Sequence, residues 1–181
     1  MYKEAIQDAI SMHELPSKWH SDILTEAKNI AGKKKMTKYR KDLRKFDFAT
    51  IDGEDAKDFD DAIYCHKTNN SFKLYVAIAD VSYYVTPGSK IDNEAQKRGT
   101  SIYFTETVIP MLPENLSNGI CSLRPDEDRC AIICEMSIGL DGKRNKYKFY
   151  GGLINSKERL TYNQVEKYLK KSFNFKHAGV R

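Results

Sequence analysis

The sequence predicts a mixed α/β or α+β domain of β-hairpins and flanking helices, preceded by a helical, basic linker. Three observations carry that expectation. Apolar runs of strand length come in pairs joined by turn residues, two capping signals open short helices, and a dense acidic run separates two stretches of β-type composition. At 181 residues the chain is long enough for one domain with a sizeable core.

In chain order, Ala5, Ile6, Ile10 and Met12 read as a strand-like arm ending at Leu15-Pro16. Trp19, Ile23, Leu24, Ala27 and Ile30 then recur at helical spacing from a cap near Ser17. After Gly32 come eight basic residues in thirteen, Lys33 to Lys45, which read as a flexible linker or as a phosphate-contacting strip that Tyr39 supplements by stacking. Residues 1–45 are therefore assigned to a linker and residues 46–181 to a folded domain. A strand at Ala62–His66, a turn at Thr68–Ser71 and a strand at Phe72–Asp80 form a first hairpin. Ser89 with Asp92 caps a short helix that Gly99 stops. Val108–Pro113, with two prolines, runs extended. Ala131–Leu140 and Lys146–Leu153 make a second hairpin turning at Asp141-Gly142. Thr161 and Gln164 form a capping box opening a helix through Lys170, with Val165, Tyr168 and Leu169 on one face.

The formal charge of +5 persists despite the acidic run, so the rest of the chain is more basic than the total suggests and suits nucleic acid as well as simple solubility. No apolar run approaches the ~18 residues of a membrane span, and the start M-Y-K-E-A-I-Q-D has no signal-peptide core. No membrane contact and a cytoplasmic location are the expectation. Cys65, Cys121, Cys130 and Cys134 contain no C-x-x-C and read as buried thiols. His13, His20, His66 and His177 read as surface residues.

The run Thr50 to Asp61, T-I-D-G-E-D-A-K-D-F-D-D, holds six carboxylates in ten residues. Each pair repels by ~1 kcal/mol at about 4 Å in water and by more where water is partly excluded. A hard divalent cation would offset that repulsion through oxygen ligands, and Mg²⁺ uses a few carboxylates together with water and substrate phosphate. Such a set suits two-metal phosphodiester hydrolysis. A solvated acidic loop is the plainer alternative. An EF-hand, and with it a Ca²⁺-binding structural module, is disfavoured because Lys57 occupies the sixth position of the loop, where glycine belongs. Apolar walls on both sides, Phe46, Phe48, Ala49 and Ile51 before and Ala62, Ile63, Tyr64 and Cys65 after, argue against a loop that merely meets solvent.

The segment D-F-A-T-I-D-G-E-D-A-K-D-F-D-D-A-I-Y-C (Asp47 to Cys65) resembles the signature of the ribonuclease II and ribonuclease R (RNB) family of 3′-to-5′ exoribonucleases. The likeness continues in order through Val76–Val85, Gly88–Phe104, Ile109–Pro125 and Arg159–Val165, covers roughly Glu4 to Leu169, and is closest to the ribonuclease R branch.

The resemblance implies a Mg²⁺-dependent hydrolase, with Mn²⁺ a substitute, that degrades single-stranded RNA from its 3′ end to nucleoside 5′-monophosphates. It implies a catalytic centre of Asp52, Asp58, Asp60 and Asp61, in which Asp52, Asp58 and Asp61 hold metal and Asp60 is most directly tied to bond cleavage. Tyr103 would clamp RNA near its 3′ end and Tyr162 would contact the terminal nucleotide. Glu54 and Asp55 are given surface roles. The chain departs from many ribonuclease R relatives in carrying Ala77 and Tyr83 where they have histidine. It also stops about halfway through the family's catalytic domain, before a later glutamate and arginine, so the expectation is a fragment nearly inactive by itself. A non-catalytic RNA-binding relative is the alternative reading.

Overall fold

The computed structural model describes residues 2–31, 39–105 and 107–171. Seven strands form one mixed sheet, in the order β1-β8-β7-β4-β3-β2-β9. Its centre is two antiparallel hairpins. β3 (Asp61–Lys67) pairs with β4 (Ser71–Ala79) through the turn at Thr68–Asn70, and β7 (Asp128–Gly139) pairs with β8 (Arg144–Asn155), while β4 and β7 join the two. Both match the sequence pattern. The second turn closes where expected, with Gly142 at a φ of 78° that other residues rarely adopt. β2 (Ala49–Asp52) lies antiparallel to β3 and parallel to β9 (Glu158–Thr161). β1 (Lys41–Asp42) runs parallel to β8 and covers only Gly152 and Leu153, so among the described residues nothing pairs with the outer edge of β8 from Arg144 to Gly151.

One face of the sheet carries the main core, where Tyr75, Ala77, Ala131 and Ile133 pack against Leu43, Phe48, Phe59 and Leu123. The other face is apolar but open, with Ile63, Ile78, Ile132 and Phe149 exposed. Cys65 and Cys134 fall on that face by register, which is why Cys65 is exposed and Cys134 half-buried; the expectation of four buried thiols holds for Cys121 and Cys130.

A second core packs Ile23 and Ala27 of α2 (Ser21–Ala31) against Val85, Ile91, Leu112, Leu116 and Ile120. It draws on α3 (Val81–Tyr84), α4 (Lys90–Arg98) and a wide helical turn at Asn115–Ile120. Arg98 locks it: its guanidinium lies 3.5 Å from the Trp19 ring centre and bonds Glu94, the Pro110 carbonyl and the Lys18 carbonyl. Ser89 caps α4 through the Asp92 N–H, and Gly99, at a φ of 73°, ends it, as the sequence signals require.

Several expectations need correcting. Residues 5–12 are not a strand-like arm but the second half of helix α1 (Tyr2–Met12), since Ala5, Ile6, Ala9 and Ile10 recur at helical intervals and Ile6 is buried. Helix α2 starts at Ser21 rather than near Ser17, leaving Trp19 free to stack on Arg98. Val108–Pro113 is extended only through β6 (Val108–Ile109), which pairs with β5 (Ile102–Tyr103), and the chain then bends so that Leu112 and Pro113 are buried. The division drawn between residues 45 and 46 runs through the sheet, for Lys41 and Asp42 are in a strand and Leu43 is 1% exposed. Gly32 to Lys38 and His177 lie outside the described residues. His13 and His20 are exposed, whereas His66 is half-buried and stacked on Tyr75.

Candidate active site

Asp52 ends β2 and Asp61 begins β3, so the antiparallel pairing of Ala49 with Ile63 brings both to the mouth of the loop 53–60. The two remaining aspartates flank Phe59, which anchors that loop. Its ring is buried in the main core, its N–H donates to Ser122 Oγ at 2.9 Å, and its carbonyl accepts from the Leu123 N–H at 2.8 Å. Arg129, itself buried, holds Ser122 in turn by donating to its carbonyl at 2.7 Å. Asp60 is further fixed through its carbonyl, which accepts from Ala79 N–H at 2.8 Å and prolongs the β3–β4 ladder. With the ring turned inward, Asp58 is half-buried and Asp60 remains solvent-accessible.

Serine at 122 is the residue this anchoring rests on. Ser122→Ala leaves the Phe59 N–H buried without a partner, a loss expected to cost about 1 to 3 kcal/mol, read as a lower urea midpoint at unchanged slope.

Asp60 feels the other three aspartates. The Asp60 carboxyl is raised above its ordinary value, first because surrounding atoms displace water from an otherwise accessible side chain, then by the charges of Asp58, Asp61 and Asp52 in that order. No ion pair reaches any of the four among the described residues. Beneath them, burial pushes the Cys121 thiol up to about 12, with the charge of Asp60 adding to the shift, so this cysteine stays neutral. A folded-state pKa above the unfolded one means that stability is lost as pH rises through the raised value and is not regained at higher pH. Asp60→Asn should therefore be the more stable protein at pH 7 in chelator, with the difference closing below pH 4; thermal melts across that range check it.

The donor set is all carboxylate oxygen, mutually repelling and without a cationic partner, and its chemistry fits a hard divalent cation. It is not a closed cage: among the described residues no three acidic, histidine or cysteine side chains converge as ready ion ligands. Asp52 spends part of its capacity locally, accepting from the Gly53 N–H at 2.7 Å.

Around the carboxylates, β9 and α5 (Tyr162–Leu169) form one wall. Thr161 pairs with Asp52 across β9 and β2 and caps α5, accepting from the Gln164 N–H while Gln164 returns a bond to the Thr161 N–H. Exposed Tyr162 follows directly, so the structure brings this predicted residue beside Asp52. Val165 packs towards Ala49 and Leu160, whereas Leu169, expected on the same face, is exposed. Tyr103, 68% exposed on β5, stands apart: among the described residues no hydrogen bond or ring contact ties it to the acid loop. Glu54 and Asp55 are exposed, and Glu54 accepts from Asn163 at 2.9 Å. Arg159, Ser122 and Arg129 were given no role on sequence, because each acts across more than a local window and none belongs to a periodic pattern. A shallow cavity of about 270 Å³ lined by Asp42, Arg44, Lys45, Asn155 and Lys157 lies at the opposite end of β2, with Arg44 already paired to Asp42 and Asp128.

Residues 40–179 match the RNB domain. The chain is 57% identical over 129 residues to ribonuclease R of Mycoplasmopsis pulmonis, covering 71% of this chain and 18% of that protein. Its identity to ribonuclease R of Escherichia coli is 48% over 167 residues, 89% of this chain and 20% of the relative. The fold superposes on Mycoplasma genitalium RNase R in complex with ribose methylated single-stranded RNA with a TM-score of 0.90 at 36% identity, covering 95% of this chain and 27% of that one. The chain thus spans about a fifth of the length of the curated relatives it matches. No described helix is long and apolar enough to cross a membrane. By motif order, sequence identity and fold, the chain belongs to the RNB-domain family, among relatives named ribonuclease R.

Proposed function

We propose that the chain carries the carboxylate centre of a hydrolytic 3′-to-5′ exoribonuclease acting on single-stranded RNA in the cytoplasm. The observation that carries this reading is the geometry that sets Asp52 and Asp61 at the facing ends of β2 and β3, with Asp58 and Asp60 on the loop between them, which Phe59 pins in the core of an RNB domain.

Asp52, Asp58 and Asp61 would hold Mg²⁺, or Mn²⁺ in its place, whose chemistry when bound is to activate water and stabilise the leaving oxygen. Asp60, its carboxyl raised first by burial and then by its acidic neighbours, is the one of the four that would take a proton from the attacking water. Water oxygen bonds to phosphorus, the bond from phosphorus to the 3′ oxygen breaks, and the released nucleotide keeps its 5′ phosphate. Tyr162 offers a stacking surface next to Asp52 for the terminal base, and Tyr103 one further off; each such stack is worth about 1 to 3 kcal/mol for any base.

The test is a 5′-labelled single-stranded RNA incubated with Mg²⁺ and a protein that joins this segment to the further length its relatives have. Stepwise shortening from the 3′ end, mononucleotide release and arrest by EDTA are expected. Internal cleavage, or decay indifferent to the chelator, overturns the reading.

A further inference from the structure

We propose that Arg159 is a positioning residue for the carboxylate centre, clamping both limbs of the acid loop to β9; the inference rests on the reading above. In the parallel pairing of β9 with β2, Arg159 lies opposite Thr50, two residues before Asp52. From there its guanidinium donates to the Gly53 carbonyl at 2.8 Å and the Glu54 carbonyl at 2.5 Å, the first two residues after Asp52. The same guanidinium stands 5.5 Å over the ring of Phe59, the residue between Asp58 and Asp60. One side chain therefore touches the outgoing limb at its backbone and the returning limb at its anchor.

Chemistry explains why arginine serves. Both bonds leave the one Nη2, so the rest of the planar guanidinium is left to lie over the Phe59 ring, whereas a lysine ammonium offers a compact point charge without that flat face. The placement has a cost: the Arg159 Nε is buried and has no hydrogen-bond partner. Without the clamp, Gly53 and Glu54 regain backbone freedom beside Asp52, and ordering them again falls to whatever the carboxylates bind.

Charge and position predict opposite signs, which makes the clamp testable by cation affinity. Removing a positive charge near four carboxylates should tighten a divalent cation, whereas releasing the loop should weaken it. The measurement is Mn²⁺ binding to the 181-residue chain by electron paramagnetic resonance, with circular dichroism at the same temperature to confirm folding. Arg159→Ala is expected to weaken Mn²⁺ about tenfold, the range of loss seen when a group that orients metal ligands is removed. Arg159→Lys should fall between the two, and with Arg159→Gln it carries the test if the alanine variant does not fold. Unchanged or tighter binding in the folded variants overturns the clamp. The Asp52→Asn/Asp61→Asn variant separates the two failures. Loss of binding there, with Arg159→Ala unaffected, overturns the clamp alone, while wild-type binding in the double variant overturns the metal reading itself.

Discussion

In a protein that joins this segment to the further length its relatives have, Asp60→Asn should lower the turnover of single-stranded RNA by about 10²-fold or more while leaving RNA affinity nearly unchanged. The reason lies in what the side chain touches. The Phe59 anchor and the Ala79 N–H hold residue 60 through backbone bonds, so an isosteric amide keeps the loop in place. What disappears is a carboxylate able to accept a proton, together with one negative charge next to Asp58, Asp61 and Asp52. On the reading proposed above, the groups that would stack on bases or meet phosphate lie elsewhere and keep their chemistry. Single-turnover kinetics with a filter-binding isotherm separate the two quantities, and an equal loss in both would make Asp60 a binding residue instead.

A second large effect is expected far from the chemistry. Arg40→Ala should destabilise the fold by about 3 to 5 kcal/mol, the cost of stranding one member of a buried ion pair. Arg40 pairs with Asp80, and their side chains are only 9% and 5% exposed. The guanidinium also reaches the Ala131 and Gly152 carbonyls and packs 4.7 Å from the Tyr83 ring centre. Room for it comes from Gly151, where a Cβ would lie 3.3 Å from Arg40 Nη1.

Asp80 has its own duties, accepting from Ser82 Oγ and the Tyr83 N–H at the start of α3. Burial pushes its carboxyl up, but the Ser82 hydroxyl and Arg40 outweigh that and hold it below the ordinary value. Such a group contributes stability above its unfolded pKa and loses it as pH falls through the folded one. Arg40→Ala should therefore also flatten the acid limb of the stability profile. Denaturant melts at pH 7 and pH 3 measure both effects. Replacing the pair together, as Arg40→Met/Asp80→Leu, should recover much of the loss. A single variant as stable as wild type would show that the pair contributes nothing.

Much of this architecture was legible because it is written in short-range pattern. Hairpin turns announce themselves through Asn69-Asn70 and Asp141-Gly142, and the N-cap at Ser89 and the capping box at Thr161 are spelled within four residues. The six carboxylates were visible for the same reason, since their crowding needs no fold to be noticed. Arg40 shows the limit: within a run of lysines it reads as one more linker charge, yet its partner lies forty residues on and its slot is left by a glycine more than a hundred residues away. Arg159 and Ser122 escaped likewise, because their bonds to Gly53 and Phe59 exist only once β2 and β9 are adjacent and the 122–123 segment lies under the loop. The first helix is hidden for a different reason: Ala5, Ile6, Ile10 and Met12 mix spacings of two and four, and only with Ala9 does the helical interval become plain.

The stretch of β8 left uncovered among the described residues bears on how copies of this segment stay apart. A strand edge with free N–H and carbonyl groups is a template on which a second copy could add in register. Here the edge carries Arg144, Lys146 and Lys148 within five residues, all exposed, the last of them paired with Glu135. Two such edges laid side by side would set lysine against lysine, at ~1 kcal/mol per pair near 4 Å in water. The neighbouring rings of Tyr147 and Phe149 can thus remain on the surface without becoming a seam for aggregation. That protection is electrostatic, so it weakens as ionic strength shortens the reach of each charge to the ~3 Å expected at 1 M salt.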